Sequence, residues 1–441
     1  MTKETIFNLA ARIGAGSMIS SSEKTEIGFA AAKAIVCLVT LFTAMPAFAR
    51  SASPLAAART ACFVGSKVTI DQQIGGCTAV IAAKGARTKD RAGAYLIRGA
   101  DYLTRNDLDN AIADFSELIR IDPQSGGAFA NRGEAWRRKG DLGLAIADLT
   151  HAIALRPRGS IAWFNRGIAY SDKGDPDHAI ADYNQAIRLN SRDAWYFNNR
   201  GNSYGDKGDF GSALSDYNQA IALNPKFALA YFNRGTNWRK QGHDTPAFDD
   251  LNTSIRLDPN YVAAYSNRAR LLRDHGKIES ALADFDQSLR LDPENYRDAY
   301  TRGNIHFDRH DYARALSDYD QTIRVRPDHA DALNTRCLTK AVLGRPREGL
   351  EDCEASLRLK AGDAYTLDSR GLCYLKLGEF DMAIDDFTAA LNVNPKIANA
   401  LYGRGLAKRK KGDASGADSD LAAARAVYAD IAKEFSHYGI E

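Results

Sequence analysis

The sequence predicts an all-α protein, a solenoid of about ten tandem helix–turn–helix repeats that ends in a capping helix. The first observation behind this prediction is a repeated pattern: an arginine followed by a small residue recurs every 34 residues along most of the chain. Another is the composition, because 45% hydrophobic and 26% charged residues among 441 are typical of a folded chain. A period of 34 residues matches one helical hairpin, and several hairpins must stack before they bury a continuous core.

Ten arginines set the register of the repeats, with no insertion or deletion between them. Glycine follows the arginine in eight repeats, and alanine stands thirteen residues after it in nine. Because neither position carries a bulky side chain, two antiparallel helices can approach closely there. Proline ends the second helix in seven repeats, since its ring cannot continue a helix. The arginines are Arg98, Arg132, Arg166, Arg200, Arg234, Arg268, Arg302, Arg336, Arg370 and Arg404.

The repeats extend over residues 92–431, and a different segment lies at each end. Residues 50–91 are interpreted as a linker and a partial repeat, whose second helix lacks a recognisable first helix. After the repeats, an apolar stripe at helical spacing predicts a last helix and C-terminal cap over residues 421–438. The stripe consists of Leu421, Ala424, Tyr428, Ile431 and Phe435.

The repeat resembles the tetratricopeptide-repeat family in its bacterial form, which carries the motif Asn-Arg-Gly near the start. The stretch from Asn165-Arg166-Gly167 to Asn190 is the fullest example in this chain. The resemblance covers residues 92–431 and implies a right-handed superhelix whose concave wall is lined by the first helix of each repeat. It also implies that the chain binds a protein or an extended peptide, although family members bind many unrelated partners.

An aspartate stands sixteen residues after each of the ten arginines. An antiparallel hairpin places these two positions opposite each other, and an unpaired buried charge costs several kcal/mol. We therefore expect internal ion pairs that fix the hairpins, such as Arg166 with Asp182 and Arg200 with Asp216. The alternative interpretation is a row of anion-binding sites.

Asparagine stands directly before the arginine in five consecutive repeats. The resemblance implies that this position lies on the concave wall. An amide both donates and accepts a hydrogen bond, so a row of amides could hold the main chain of a peptide whatever its side chains. The row is similar to the asparagine ladder of the eukaryotic O-linked N-acetylglucosamine transferase, whereas the lysines of a carboxylate clamp are absent. The alternative is that asparagine is a common polar choice in this repeat type. The residues are Asn131, Asn165, Asn199, Asn233 and Asn267.

Aromatic residues are expected on the same inward wall, where exposed rings could anchor a partner. Charges of both signs alternate along it in blocks, and this mixture argues against a nucleic-acid groove, which would be basic throughout. The whole chain is nearly neutral as well, with 58 basic and 55 acidic residues. The aromatic residues are Phe164, Trp195, Phe232, Tyr300, Tyr365 and Tyr402.

Residues 1–49 have the pattern of a secretory signal peptide. Lys33 precedes an apolar run from Ala34 to Ala49, which ends in the small-x-small sequence Ala47-Phe48-Ala49. Translation could begin at Met1 or at Met18, and an uncleaved N-terminal anchor is the alternative to cleavage. We expect export, to the periplasm of a Gram-negative bacterium, with no membrane span left after cleavage.

Export would allow the remaining cysteines to form disulfides. A Cys62–Cys77 bond would fasten the segment before the repeats, and Cys337 and Cys353 belong to one predicted hairpin. The pairing among Cys337, Cys353 and Cys373 stays open at this point.

No catalytic motif accompanies the repeats, so we expect no enzymatic activity, no cofactor and no metal site. His306 and His310 have metal-compatible spacing, but one falls on a core stripe and the other in a turn. The expected function is a protein-binding scaffold or adaptor in the cell envelope. A self-associating scaffold and a substrate-recruiting subunit of a separate enzyme are the alternatives, and the oligomeric state is open.

Overall fold

The computed structural model describes residues 54–64 and 68–440, and within these ranges it is all-α, with 23 helices and no strand. This confirms the predicted fold class of tandem helical hairpins. The segment interpreted as a signal peptide, residues 1–49, lies outside the described residues. By its internal contacts the chain divides into two compact units, Met1–Pro259 and Asn260–Glu441, which we call unit 1 and unit 2.

In unit 1 the helices form six consecutive hairpins. They are α1 (Pro54–Phe63), α2 (Ile70–Ala82), α3 (Thr88–Thr104), α4 (Leu108–Ile121), α5 (Gly126–Lys139), α6 (Leu142–Leu155), α7 (Ser160–Asp172), α8 (Pro176–Leu189), α9 (Ala194–Asp206), α10 (Phe210–Leu223), α11 (Ala228–Lys240) and α12 (Asp244–Leu257).

In unit 2 five hairpins are followed by one short helix. They are α13 (Val262–Asp274), α14 (Ile278–Leu291), α15 (Tyr296–Asp308), α16 (Tyr312–Val325), α17 (Ala330–Val342), α18 (Pro346–Leu359), α19 (Ala364–Leu377), α20 (Phe380–Val393), α21 (Ala398–Lys410), α22 (Ala414–Val427) and α23 (Ile431–His437).

The turn inside each hairpin is built by local chemistry. Gly140 ends α5 with φ of 91°, a left-handed conformation that costs glycine little. The next residue, Asp141, caps α6, because its carboxylate accepts a hydrogen bond from the N–H of Leu144. In unit 2, His310 takes the place of the glycine with φ of 60°. The second helix of a hairpin therefore begins at a defined residue after a very short turn.

In eight of the ten repeats the close contact between the two helices of a hairpin involves the glycine that follows the arginine. A Cβ atom added at Gly167 would lie 2.6 Å from the ring of Tyr183, and one at Gly201 would lie 2.8 Å from the ring of Tyr217. Both rings are buried. Glycine is thus required because an aromatic ring of the second helix occupies the space that a side chain would fill.

A hairpin precedes the ten expected repeats, and its first helix was missed by the sequence analysis. Helix α1 packs on α2, and the sulfur atoms of Cys62 and Cys77 lie 2.08 Å apart. A Cβ atom at Gly76 would lie 2.6 Å from that of Ala61, so small residues again allow the close approach. The Arg-Gly pattern that marks the other first helices is absent from α1.

Three cysteines lie near one another in unit 2. The sulfur atoms of Cys337 and Cys353 are 2.07 Å apart, and the Cys373 thiol is free and buried, 3.6 Å from the sulfur of Cys337. Burial raises the pKa of the Cys373 thiol to about 12. This thiol is therefore protonated at neutral pH and unreactive.

The C-terminal end differs from the expected single stripe over residues 421–435. Helix α22 ends at Val427, Tyr428 is extended and 46% exposed, and α23 begins at Ile431. The apolar stripe is therefore divided between a last helix and a short helix after it, and Tyr428 lies between the two. Among the described helices, none combines the length and the apolar character that a membrane span requires.

Candidate functional site

All ten arginines of the repeat register pair with the aspartate sixteen residues later. Nε and Nη2 of Arg166 each donate to a carboxylate oxygen of Asp182 at 2.8 Å, and those of Arg200 donate to Asp216 at 2.8 and 2.6 Å. Such two-pronged contacts are the strongest form of ion pair. The hydrogen bond to Asp182, aided by its charge, raises the pKa of Arg166. The same geometry recurs in both units.

The third arginine nitrogen connects neighbouring repeats. Nη1 of Arg166 donates to the hydroxyl of Thr150 at 3.0 Å, and Nη1 of Arg200 donates to the side-chain oxygen of Asn184 at 2.6 Å. Thr150 and Asn184 both lie on the second helix of the preceding hairpin. The arginine therefore joins two hairpins as well as the two helices of its own, and little of it is left to bind an anion.

The predicted asparagine row of unit 1 lies on the first helices α5, α7, α9 and α11, whose shared face we call the unit 1 wall. Asn131 and Asn233 are half-buried, whereas Asn165 and Asn199 are only 5% exposed. Consecutive first helices contact each other, so the four positions are neighbours in sequence order. The structure thus brings the row together but leaves only two of its four amides well accessible.

The amides of the unit 1 wall are partly bonded to one another. Nδ2 of Asn233 donates to Oδ1 of Asn198 at 2.9 Å, which links α11 to α9. Nδ2 of Asn199 donates to the main-chain oxygen of Trp195 at 2.9 Å, within its own helix. Asn198 is fully buried and occupies the position directly before Asn199. The wall is therefore an interconnected layer of amides and not a simple ladder.

Some polar atoms of this wall are buried without a hydrogen-bond partner among the described residues. They are Oδ1 of Asn165, Nδ2 of Asn198 and the hydroxyl of Ser203. Leaving such an atom unsatisfied costs about 1–3 kcal/mol, so each favours a water molecule or a ligand group beside it. Sequence analysis did not single out Ser203, although a hydroxyl two residues from the Arg-Gly pair was a visible signal.

Of the three aromatic residues predicted on the unit 1 wall, one is buried and two are half-buried. Phe164 is 2% exposed, with its ring centroid 4.7 Å from that of Tyr196, and belongs to the core. The prediction that Phe164 anchors a partner is therefore wrong, because rings of its own and the next repeat cover it. Trp195 is half-buried against Phe227, with centroids 4.7 Å apart, and Phe232 is half-buried too.

The charges expected to alternate along this wall neutralise one another. Arg137 donates to Glu134 at 2.9 and 3.0 Å and to Asp172 at 2.5 Å, and Arg138 donates to Glu134 at 2.7 Å. Burial opposes ionisation of Glu134, but the two guanidinium groups outweigh it and lower the pKa of the carboxyl. Asp206, by contrast, is exposed at the end of α9. A basic groove is not present here.

In unit 2 the predicted site residues lie in varied surroundings. Asn267 donates from Nδ2 to the main-chain oxygen of Ala263 at 2.8 Å, and the half-buried ring of Tyr300 lies 5.0 Å from that of His329. The ring of Tyr402 lies 4.7 Å from that of Phe435, whereas Tyr365 is 60% exposed. Only Tyr365 is openly available as an aromatic anchor.

His306 is buried, and His310 occupies the turn after α15, as their sequence positions suggested. Burial lowers the pKa of the His306 imidazole. In the part of the chain that the structure describes, no three histidine, cysteine or carboxylate side chains are grouped closely enough to hold a metal ion.

Comparison with solved structures finds other repeat proteins of this kind. The chain is 23% identical to MamA over 37% of its own length and 96% of that chain, with a TM-score of 0.34. It is 24% identical to YrrB, described as a TPR protein with an unusual peptide-binding site. That match covers 43% of this chain and 97% of YrrB, with a TM-score of 0.35. It is 20% identical to PilF of Pseudomonas aeruginosa over 46% of its own length and 93% of that chain, with a TM-score of 0.42. These similarities concern the repeat fold alone. No curated protein matches the chain.

Sequence models of one repeat type match most of the array. They carry the descriptions "Tetratricopeptide repeat" and "TPR repeat", and they match residues 96–157, 160–193, 201–242, 262–295, 300–364 and 369–397. Together these segments make up more than half of the chain, and all of them lie within the array of helices described above. The chain therefore belongs to the tetratricopeptide-repeat family, whose fold is a scaffold for protein–protein interaction.

Proposed function

We propose that this protein is a non-catalytic adaptor that binds an extended peptide segment of a partner along the unit 1 wall. The observation that carries the proposal is the amide layer, in which Asn198 and Asn233 are bonded across two repeats. The same layer holds buried polar atoms, of Asn165, Asn198 and Ser203, that no described residue satisfies. Hydrogen-bonding groups held in place by a folded scaffold need no reorganisation when a ligand arrives.

The spacing of the wall suits an extended main chain. Packed helices lie about 8–10 Å apart, and an extended chain advances about 3.3 Å per residue. One repeat would therefore meet about every third residue of the peptide, where an amide could donate to a carbonyl and accept from an N–H. Recognition of this kind depends on the main chain, so we expect tolerance of many side-chain sequences.

Peptide selection followed by titration tests the proposal. Dodecapeptides selected from a random phage-displayed library on the full-length chain would be titrated against the wild type and the double variant Asn131→Ala, Asn233→Ala. We expect at least a tenfold loss of affinity, because the two accessible amides are removed. The matched control is Gln219→Ala, which removes an exposed amide from the second helix α10 and should bind like the wild type.

Helical content measured by circular dichroism should be unchanged in all three proteins. Equal affinity of the folded double variant and the wild type would remove the amide layer from the proposal. Loss of affinity in the Gln219→Ala control would show that the effect is not specific to the wall.

We propose further that the chain works outside the cytoplasm, in the periplasm. The support is the signal-peptide pattern of residues 1–49 and the two cysteine pairs whose sulfur atoms lie 2.08 and 2.07 Å apart. Both pairs lie in hairpins, where a bond would fasten two helices, and such bonds persist in oxidising compartments. An uncleaved N-terminal segment would instead anchor the chain to the membrane.

Cell fractionation with thiol labelling tests this proposal. Protein from the periplasmic fraction, unfolded without reductant, should react with maleimide at Cys373 only, and at five cysteines after reduction. Recovery from the cytoplasm with all thiols reactive would contradict export. Recovery from the membrane would favour the anchored form.

A further inference from the structure

The last ten described residues form a segment with one apolar face. We call residues 431–440 the C-terminal segment; it consists of α23 and the turn after it. Ile431, Phe435 and Tyr438 are 0%, 1% and 4% exposed, and their spacing places them on one side of a helix. The segment ends in a turn at Gly439, whose φ is 69°.

This segment lies across the first helices of unit 2. Phe435 contacts Tyr402 of α21, and Nζ of Lys376 in α19 donates to the main-chain oxygen of Tyr438 at 2.5 Å. The ring of His437 stacks on that of His310, directly after α15, with centroids 3.9 Å apart. The segment therefore extends from the last hairpin to one that lies three hairpins earlier.

The pKa shifts of two residues at and after the end of α15 agree with this position of the C-terminal segment. Burial, followed by the nearby carboxylate of Glu434, raises the pKa of Asp308 at the end of α15 and raises that of Tyr312 to about 12. A further repeat, or a simple cap, would pack on the last hairpin alone, because each hairpin of a solenoid contacts its neighbours. The C-terminal segment thus occupies the place of a ligand on this wall.

The wall beneath the segment is largely apolar, with Asp368 and Lys376 as charged residues beside it. Leu372, Leu375 and Leu401 are buried in the same hydrophobic cluster as Ile431, Phe435 and Tyr438, and Leu338 and Val342 pack against it. The asparagine of the unit 1 row is replaced here by Thr335, Ser369 and Gly403. An apolar wall suits the apolar face of a short helix better than it suits an extended main chain.

We propose that α17, α19 and α21 form a second binding surface, specific for a short amphipathic helix with apolar side chains at positions i, i+4 and i+7, the last two aromatic. The C-terminal segment is its internal ligand, and a partner helix of the same pattern replaces it. This inference rests on the proposed function in assigning binding to first helices, but it concerns another wall and another kind of ligand.

The internal ligand is displaceable for a physical reason. Three buried side chains gain a hydrophobic free energy of the same order as the entropy lost by fixing ten residues. A short tether, however, gives the segment an effective concentration in the millimolar range, which suppresses weaker external ligands. Access to the surface is therefore regulated by the chain itself.

The test uses the full-length chain and a fluorescein-labelled synthetic peptide with the sequence of residues 429–441, ADIAKEFSHYGIE. The double variant Phe435→Asp, Tyr438→Asp should release the tethered segment and bind the peptide at least tenfold more tightly than the wild type. Lys433→Ala changes an exposed residue of α23 and is the matched control, which should behave like the wild type. A peptide carrying the same two aspartates should not bind.

A released variant that keeps its helical content but gains no affinity for the peptide overturns the proposal. So does concentration-dependent dimerisation of the wild type in light scattering, because the occupant would then be the segment of a second copy. These outcomes are independent of the asparagine variants, since dodecapeptide binding to the unit 1 wall should not change in the released variant.

If the double variant loses helical content, hydrogen exchange of the wild type decides the question. Amides of residues 431–440 should exchange faster than those of α21 and α22, because the segment opens without unfolding of the hairpin. Exchange at the rate of α22 would identify the segment as a permanent cap and overturn the proposal.

Discussion

The first-helix walls of the two units are built on one repeat register but carry opposite chemistry. On α9 and α11 of unit 1 the buried side chains include Asn198, Asn199 and Asn237. On α19 and α21 of unit 2 the positions of Asn198 and Asn199 hold Asp368, Ser369, Tyr402 and Gly403. The C-terminal segment packs there in one hydrophobic cluster with Leu372 and Leu401. The Arg–Asp pairs recur in both units, and so do contacts of the glycine with an aromatic ring, such as Gly167–Tyr183 and Gly303–Tyr319. The comparison teaches that the residues that form the hairpin are separate from those that determine what the wall can bind.

The largest expected effect comes from breaking an Arg–Asp pair, and it should be equal in the two units. Asp182→Ala in unit 1 and Asp386→Ala in unit 2 each leave an arginine, 16% and 25% exposed, without its carboxylate. We expect each variant to lose about 3 kcal/mol of stability, seen as a lower Tm in thermal melts followed by circular dichroism.

The double variant Arg166→Leu, Asp182→Leu is the control, since apolar residues of suitable volume can replace an ion pair at little cost. A loss as large as that of Asp182→Ala would contradict the view that the unpaired charge causes the damage. A clear difference between Asp182→Ala and Asp386→Ala would show that the scaffold is not shared by the two units.

The next largest effect is a pH dependence of stability. It arises at one repeat position that holds different residues in the two walls. Asp368 in unit 2 has the repeat position of Asn198 in unit 1, and burial in the apolar wall raises the pKa of its carboxyl to about 7. The folded chain therefore binds this proton more tightly than the unfolded chain, whose carboxyl has the ordinary value of 3.8. Stability should fall as the pH rises from about 4 to 7, by about 2 kcal/mol for a half-buried group.

Asp368→Asn removes the titrating group and gives unit 2 the amide that unit 1 carries. Its Tm should exceed that of the wild type at pH 8, and the difference should disappear below about pH 3, where the wild-type carboxyl is neutral in both states. A difference that does not change with pH would contradict the assigned cause. Asp385→Asn, at an exposed carboxylate on α20, is the matched control and should show no such dependence.

Sequence analysis predicted the hairpins well because their determinants are local and repeated. An arginine, a glycine, an alanine and an aspartate at fixed spacing define each pair of helices, and the register holds from Arg98 to Arg404. Helix α1 was not predicted because it lacks these residues, and its alanine-rich sequence has little helical periodicity. The break between helices at Tyr428 was not predicted because apolar residues continue at helical spacing on both sides of it.

The site was harder to predict than the fold because exposure depends on residues far away in the sequence. Phe164 has an inward position, but the ring of Tyr196, which lies in the next repeat, covers it. Asn199 has the same register as Asn233, yet it bonds to its own helix while Asn233 bonds to Asn198. Nothing in a single 34-residue repeat shows which of these arrangements forms.

Hydrogen exchange of the full-length chain with and without a saturating selected dodecapeptide tests the central claim most directly. Bound peptide should slow exchange on the first helices α5, α7, α9 and α11 and leave α17, α19 and α21 unchanged. The Asn131→Ala, Asn233→Ala variant at the same peptide concentration should lose that protection. Protection confined to the second helices, or to the wall under the C-terminal segment, would contradict the claim that the amide layer of unit 1 holds the partner.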